Sequence, residues 1–92
     1  MKATAEIQVI PIGSSVSVRD EVKRAHGILV DADLNATLHG QGTNVEGELH
    51  DVLAAVERIH ETLHDEGTVR IATYVKIGTR TDKEPSQAGK LF

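Results

Sequence analysis

The chain has 92 residues and a formal charge of −4 at pH 7, because ten Lys and Arg residues face fourteen Asp and Glu residues. This balance lacks the basic surface that nucleic-acid binding requires, and Tyr74 and Phe92 are the only aromatic side chains on which bases could stack. The absence of cysteine excludes disulfides and thiolate metal sites.

The length predicts a single domain, residues 1–92, small enough to benefit from association with further copies of itself. No apolar run is long enough to cross a membrane, and Met1–Glu6 lacks the apolar core of a signal peptide. We therefore expect a cytoplasmic protein whose partners include neither a membrane nor a nucleic acid.

Alternation and helical periodicity predict a strand and a helix in the first third of the chain. Residues 4–12 alternate, with Ala5, Ile7 and Val9 on one side, which is typical of a half-buried strand. Apolar residues then recur at steps of three and four up to about Asp33, which predicts a helix. Its apolar stripe consists of Val18, Val22, Ala25, Leu29 and Ala32.

The remaining chain predicts two short strands, a longer helix and a final strand. Residues 34–39 and 41–47 form the two short strands, and residues 69–77 alternate as the last one. The helix between them ends at Gly67. Its apolar stripe consists of Leu49, Val52, Leu53, Val56, Ile59 and Leu63.

The order β-α-β-β-α-β predicts an α+β fold of the ferredoxin-like type, in which two helices cover one face of a four-stranded antiparallel sheet. The other face would be open and mainly polar, and residues 80–92 would form a charged loop and a short tail in which Leu91 and Phe92 could dock on a neighbouring surface. The residues expected on the open face are Glu6, Gln8, Ile10, Thr37, His39, Arg70, Tyr74 and Lys76.

The polar stretch 40–48 lies at the centre of this arrangement. Gly40 and Gly42 predict a tight turn between strands, since glycine adopts positive φ and lets the backbone approach other groups closely. The simplest interpretation is a hairpin turn followed by a helix N-terminus, where Glu46 and Glu48 are favoured by the helix dipole.

Residues 60–64, His-Glu-Thr-Leu-His, match the H-E-x-x-H pattern of zinc metalloproteases. We do not expect a metal site here, because His60 falls in the apolar stripe, Glu61 points to solvent, and no further His comes after them as a third ligand. The alternative is that His60 packs at a helix–helix or subunit contact and His64 favours the helix C-terminus. No cofactor is predicted, and no nucleophile, base and orienting group occur together as an enzyme would need.

Three stretches resemble the thiamine-binding protein family of small ferredoxin-like domains. They are residues 6–13 (EIQVIPIG), 39–48 (HGQGTNVEGE) and 75–83 (VKIGTRTDK), three short motifs in order, and the resemblance covers nearly the whole chain. The resemblance implies a homo-oligomer, often a tetramer, with pockets near subunit contacts. It also implies thiamine, or its hydroxymethylpyrimidine part, as the ligand.

Thiamine carries an aminopyrimidine and a cationic thiazolium, so its site needs an acceptor for the amino group and an anionic or aromatic partner for the cation. We expect Glu46 to accept from the amino group, and Thr43 and Asn44 to orient the ring. Glu6 or Tyr74 would face the cation. The predicted ligand-binding set is therefore Gly42, Thr43, Asn44, Glu46, Glu6 and Tyr74.

Two interpretations of the function remain open from the sequence. The chain is either a non-enzymatic binder of thiamine or a related pyrimidine, or an assembly or regulatory module whose open sheet face pairs with other chains. In the second case Thr43 and Glu46 would only stabilise the turn and the helix start.

Overall fold

The structure of the chain, a computed structural model, describes residues 1–13 and 19–83. Within these residues the elements occur in the predicted order, and the strands form one antiparallel sheet in the order β2-β3-β1-β4, the ferredoxin-like arrangement. The elements are β1 (Lys2–Ile12), α1 (Arg19–Asp31), β2 (Thr37–His39), β3 (Gly42–Glu48), α2 (Leu49–Asp65) and β4 (Arg70–Thr79).

The core lies between the two helices and one face of the sheet. Ala5 and Ile7 of β1 and Val45 of β3 point toward the helices, because alternate residues of a strand share a face. The predicted alternation of β1 is thereby confirmed. The apolar core consists of these three residues with Ala25, Ile28, Leu29, Leu34, Val52, Ala55, Ile59 and Leu63.

The predicted strand over residues 34–39 is wrong in its first half, since β2 covers only Thr37–His39. Asp33 and Asn35 have positive φ angles of 60° and 47°, which place them in a tight turn between α1 and β2. Leu34 between them is 1% exposed, and its carbonyl accepts a hydrogen bond of 2.8 Å from the Glu46 N–H. Its burial therefore comes from a turn that is tied to β3.

The predicted helix stripes need two corrections. Leu53 of α2 is 52% exposed, whereas Ala55 takes its place in the core. In α1, Ile28 is buried beside the predicted Ala25, and Val18 lies outside the described residues. Small residues such as Ala55 carry little hydrophobic signal in a sequence, although they let the helix approach the sheet.

The segment after β4 is described only as far as Lys83, so the predicted tail with Leu91 and Phe92 lies outside the described residues. Arg80 donates two hydrogen bonds to Asp82, of 2.6 and 2.5 Å. These bonds lower the pKa of Asp82 to about 2. No described helix has the length and apolar character needed to span a membrane.

Gly42 is the residue at which the β2–β3 hairpin meets β1. Its φ is 151°, and a Cβ atom placed there would lie 2.6 Å from the carbonyl oxygen of Ile7. The two-residue turn Gly40–Gln41 precedes it, as predicted, but only Gly42 of the two glycines has a positive φ.

Gly42→Ala should destabilise the protein by about 1–3 kcal/mol, because the added methyl group meets backbone atoms that cannot move aside. Chemical denaturation would measure the change in free energy of unfolding. Gly40→Ala is the matched control, since open space surrounds that position, and it should change stability by less than about 0.5 kcal/mol. Equal effects of the two substitutions would contradict this account.

Candidate ligand-binding site

The candidate site arises because β1 is longer than the β2–β3 hairpin beside it. β1 pairs with β3 from Lys2 to Ile7, but it pairs with β4 from Ala3 to Ile12. The hairpin ends at the pair His39 and Gly42, and so it stops beside Ile7. Among the described residues, the second half of β1 therefore has a strand neighbour on the β4 side only, which leaves a notch in the sheet.

Helix α1 lies over this notch and borders a partly open cavity of about 330 Å³. Val22, Ala25 and Leu29 form the wall on the helix side. The sheet side and the hairpin contribute Ile7, Gln8, Val9, Ile10, His39, Gly40, Gln41, Gly42 and Thr43. The volume falls within the range of roughly 300 to 1,000 Å³ that is typical of small-molecule sites.

The lining is largely apolar with a few polar residues, Gln8, His39, Gln41 and Thr43, and its described residues include no Asp, Glu, Lys or Arg. Thr43 is buried and lines the cavity from the sheet. His39 and Gln41 contribute side chains from the hairpin. A largely apolar cavity with few polar groups suits a flat, neutral ring better than an ion, because an unpaired charge loses its hydration on burial.

His39 holds the hairpin end in place through three contacts. Its Nδ1 accepts a hydrogen bond of 3.2 Å from the backbone N–H of Gln41. Its Nε2 lies 3.0 Å from Asn44 Oδ1 and 3.5 Å from Glu6 Oε2. Because Nδ1 acts as an acceptor, the proton of the neutral ring must sit on Nε2, where both neighbours are oxygen acceptors.

The structure places the six predicted ligand-binding residues on two surfaces. Gly42 and Thr43 line the cavity. The other four lie on the open face, because their positions alternate with core-facing residues in the strand registers. These four are Glu6, Asn44, Glu46 and Tyr74, and His39 connects the first two of them. Their roles toward a ligand stay predictions.

The sequence reasoning missed the helix wall of the cavity. Val22, Ala25 and Leu29 were predicted as core residues, and nothing in their residue types distinguishes a cavity wall from a packed core. The available signal was the contrast between a long first strand, residues 4–12, and a shorter hairpin that could not cover it.

Comparison with known proteins identifies the family. The sequence model described as "thiamine-binding protein" matches residues 5–91. The chain belongs to the thiamine-binding protein family. A UPF0045 protein of Synechocystis sp. is 37% identical over 91 residues, which is 99% of this chain and 75% of the relative. A UPF0045 protein of Eremothecium gossypii is 37% identical over 87 residues, which is 94% of this chain and 83% of the relative.

The fold of this family member is shared by a hypothetical protein from Methanocaldococcus jannaschii, known from a crystal structure. The two superpose with a TM-score of 0.90 at 34% identity, and the match covers 98% of this chain and 92% of the other. The recognition of the family and of the ferredoxin-like fold from sequence is confirmed. None of these names states an enzymatic activity.

The two histidines of the H-E-x-x-H stretch attach α2 to β4 and to the loop between them. His60 Nε2 lies 2.7 Å from the Thr73 hydroxyl on β4, so its contact is with the sheet and not with the other helix. His64 Nδ1 lies 2.7 Å from the carbonyl oxygen of Thr68. Glu61 is exposed, as predicted. No cluster of three or more potential metal ligands occurs within residues 1–13 and 19–83.

The neutral forms of His39 and His64 should be opposite tautomers. His39 accepts at Nδ1 from a backbone N–H, whereas His64 must donate from Nδ1 to a carbonyl oxygen. Nitrogen-15 shifts of the imidazole rings, recorded with both rings neutral, would show Nε2 protonated in His39 and Nδ1 protonated in His64. A protonated Nδ1 in neutral His39 would mean that the hairpin end is held differently.

Proposed function

We propose that this protein binds thiamine or a related hydroxymethylpyrimidine without catalysing a reaction. The observation that carries the proposal is the cavity of about 330 Å³ between α1 and the notch of the sheet. Its size and its mixture of apolar walls and few polar groups are those of a small-molecule site. Membership of the thiamine-binding protein family supports the choice of ligand.

The aminopyrimidine is the part of thiamine that suits this cavity. Its flat ring fits between the apolar side chains of α1 and those of β1, such as Leu29 and Ile7. Its nitrogen atoms need hydrogen-bond partners, and Thr43, His39 and Gln41 supply polar groups at the hairpin end.

The thiazolium cation of thiamine should lie outside the cavity. The described lining offers it no carboxylate, and burial of an unpaired cation costs much more than burial of a neutral ring. The negative charge of the chain, −4 overall, is carried by residues outside this lining. Hydroxymethylpyrimidine alone should therefore bind with an affinity within about tenfold of that of thiamine.

An assembly role is the second candidate, and the two edge strands favour it. Leu38 on β2 and Val75 and Ile77 on β4 point to the helix side of the sheet but are 47%, 36% and 36% exposed. Exposed apolar side chains along an edge strand are suited to association between chains. We propose a homo-oligomer, with a tetramer as the expected form, in which association and ligand binding occur in the same protein.

Ala25→Leu should lower the affinity for both ligands at least tenfold, because the larger side chain enters the cavity from α1. Isothermal titration calorimetry with thiamine and with hydroxymethylpyrimidine measures this. Ala54→Leu makes the same chemical change on the exposed side of α2 and should leave binding unchanged. Circular dichroism would verify that both variants fold, since overpacking of a buried site also costs stability. The absence of saturable binding to the unmodified protein would refute the proposed function.

Two further substitutions decide which face of the sheet holds the ligand. Thr43→Val removes a hydroxyl group from the cavity at nearly constant volume, and Glu46→Gln removes a charge from the open face. Loss of affinity in Thr43→Val places the ligand under α1. Loss in Glu46→Gln alone would favour the site on the open face that the sequence suggested.

The purified protein should have a mass in solution several times its chain mass of 9.9 kDa. The double substitution Val75→Lys and Ile77→Lys should shift the mass toward that of the monomer, because charges on an edge strand oppose association. Light scattering after gel filtration measures the mass, and Ala54→Lys on α2 serves as the control. A mass of 9.9 kDa at all concentrations would contradict the oligomer.

A further inference from the structure

The main chain of β1 offers hydrogen-bonding groups to the cavity. A Cβ placed on Gly42 would lie 2.6 Å from the oxygen of Ile7 but 3.2 Å from its carbonyl carbon, so the Ile7 carbonyl points toward β3. In an antiparallel strand, the N–H and C=O of one residue point to the same side, and those of every second residue point the same way. The N–H and C=O of Val9 therefore point toward the notch.

No strand of the hairpin reaches these groups. The register that pairs Ile7 with Thr43 would bring Val9 opposite Gln41, but the ladder ends at Thr43 and Gln41 lies in the turn. The Gln41 N–H is instead donated to His39. Outside the strand ladders, no backbone hydrogen bond within the described residues involves Val9.

The sequence of β1 fits this account of its two edges. The even-numbered residues Gln8 and Ile10 direct their main-chain groups to β4, with which they pair. Pro11 shares the orientation of Val9 and has no N–H, which is tolerated only on the side of a strand that needs no ladder. Within the described residues, the notch side of β1 thus carries one donor and acceptor pair without a main-chain partner, that of Val9, and Val9 lines the cavity.

We infer that the main chain of Val9 is the element that recognises the aminopyrimidine. The Val9 N–H donates to the ring nitrogen beside the amino group, and the Val9 C=O accepts from that amino group. The two groups of an extended residue lie side by side, as do the acceptor nitrogen and the amino group of the ligand. This inference rests on the proposed function and specifies the class of ligand: a neutral heterocycle with adjacent acceptor and donor groups.

The physical reason is the cost of leaving main-chain groups without partners once a ligand has displaced water from a largely apolar cavity. A buried polar group without a partner costs roughly 1–3 kcal/mol, which is why nearly all such groups are paired. A ligand that pairs both groups of Val9 gains affinity from them, while an apolar ring of the same shape would lose it. Selectivity would therefore come from the backbone, with side chains supplying the walls.

Amide hydrogen exchange of the full chain, monitored by NMR, tests this directly. Without ligand, the Val9 amide should exchange at least tenfold faster than those of Gln8 and Ile10, which are in the ladder with β4. Saturation with hydroxymethylpyrimidine should slow the Val9 amide at least tenfold. The exchange rates of the Gln8 and Ile10 amides should change much less.

Two variants test the same donor by affinity, and a third tests the orientation of the strand. Val9→Pro removes the N–H on the notch side and should raise the dissociation constant for hydroxymethylpyrimidine at least tenfold. Val9→Ala keeps the N–H and removes only wall contacts, so its loss should be several-fold smaller. Ile10→Pro removes an N–H from the ladder with β4 and should instead lower the melting temperature, which verifies the orientation of the strand.

The outcomes separate this inference from the proposed function. Ligand binding without protection of the Val9 amide, or with equal affinity in Val9→Pro, would overturn the inference and leave the function standing. Absence of binding by the unmodified protein would overturn both. Protection of Val9 that rises with protein concentration in the absence of ligand would show another copy of the chain at this edge, and would also overturn the inference.

Discussion

The close approach of Gly42 to the Ile7 carbonyl is the constraint on which the rest of the site depends. It fixes where the β2–β3 hairpin ends against β1, and the turn Gly40–Gln41 can adjoin it directly because Gly42 takes a conformation that side chains disfavour. A hairpin two residues longer would pair with Val9 and fill the notch. The cavity under α1 thus exists because the hairpin stops there and β1 continues.

His39 connects the two surfaces of the sheet that this hairpin creates. It lines the cavity, yet it also contacts Asn44 and Glu6 on the open face. A change at either of those two residues can alter the turn through the His39 ring, which accepts from the Gln41 N–H. Asn44 and Glu6, two of the residues that the sequence suggested as ligand contacts, are therefore part of the support of the cavity rim.

The sequence was sufficient for the order of elements, for the alternation of β1 and for the turn at Gly42, because each depends on local periodicity or on a residue with a special backbone conformation. It failed for Leu34, which is buried by a turn and not by a strand, and for Leu53, which was predicted to face the core but is exposed. The cavity could not be predicted, since it arises from the relative lengths of elements that are distant in the chain. For the same reason the predicted site residues were assigned to one region although Thr43 faces the helices.

Recognition through the main chain explains why a search for functional side chains finds so little here. Catalytic and metal sites leave residue types at recognisable spacings, whereas a backbone N–H and C=O are present at every residue except proline. One such pair becomes available where the neighbouring strand ends. The trace of this in the sequence of β1 is Pro11, because a proline, which has no N–H, could not donate to a neighbouring strand on that side. The ligand preference of such a site is therefore encoded in the topology of the sheet more than in the identity of the residues that line it.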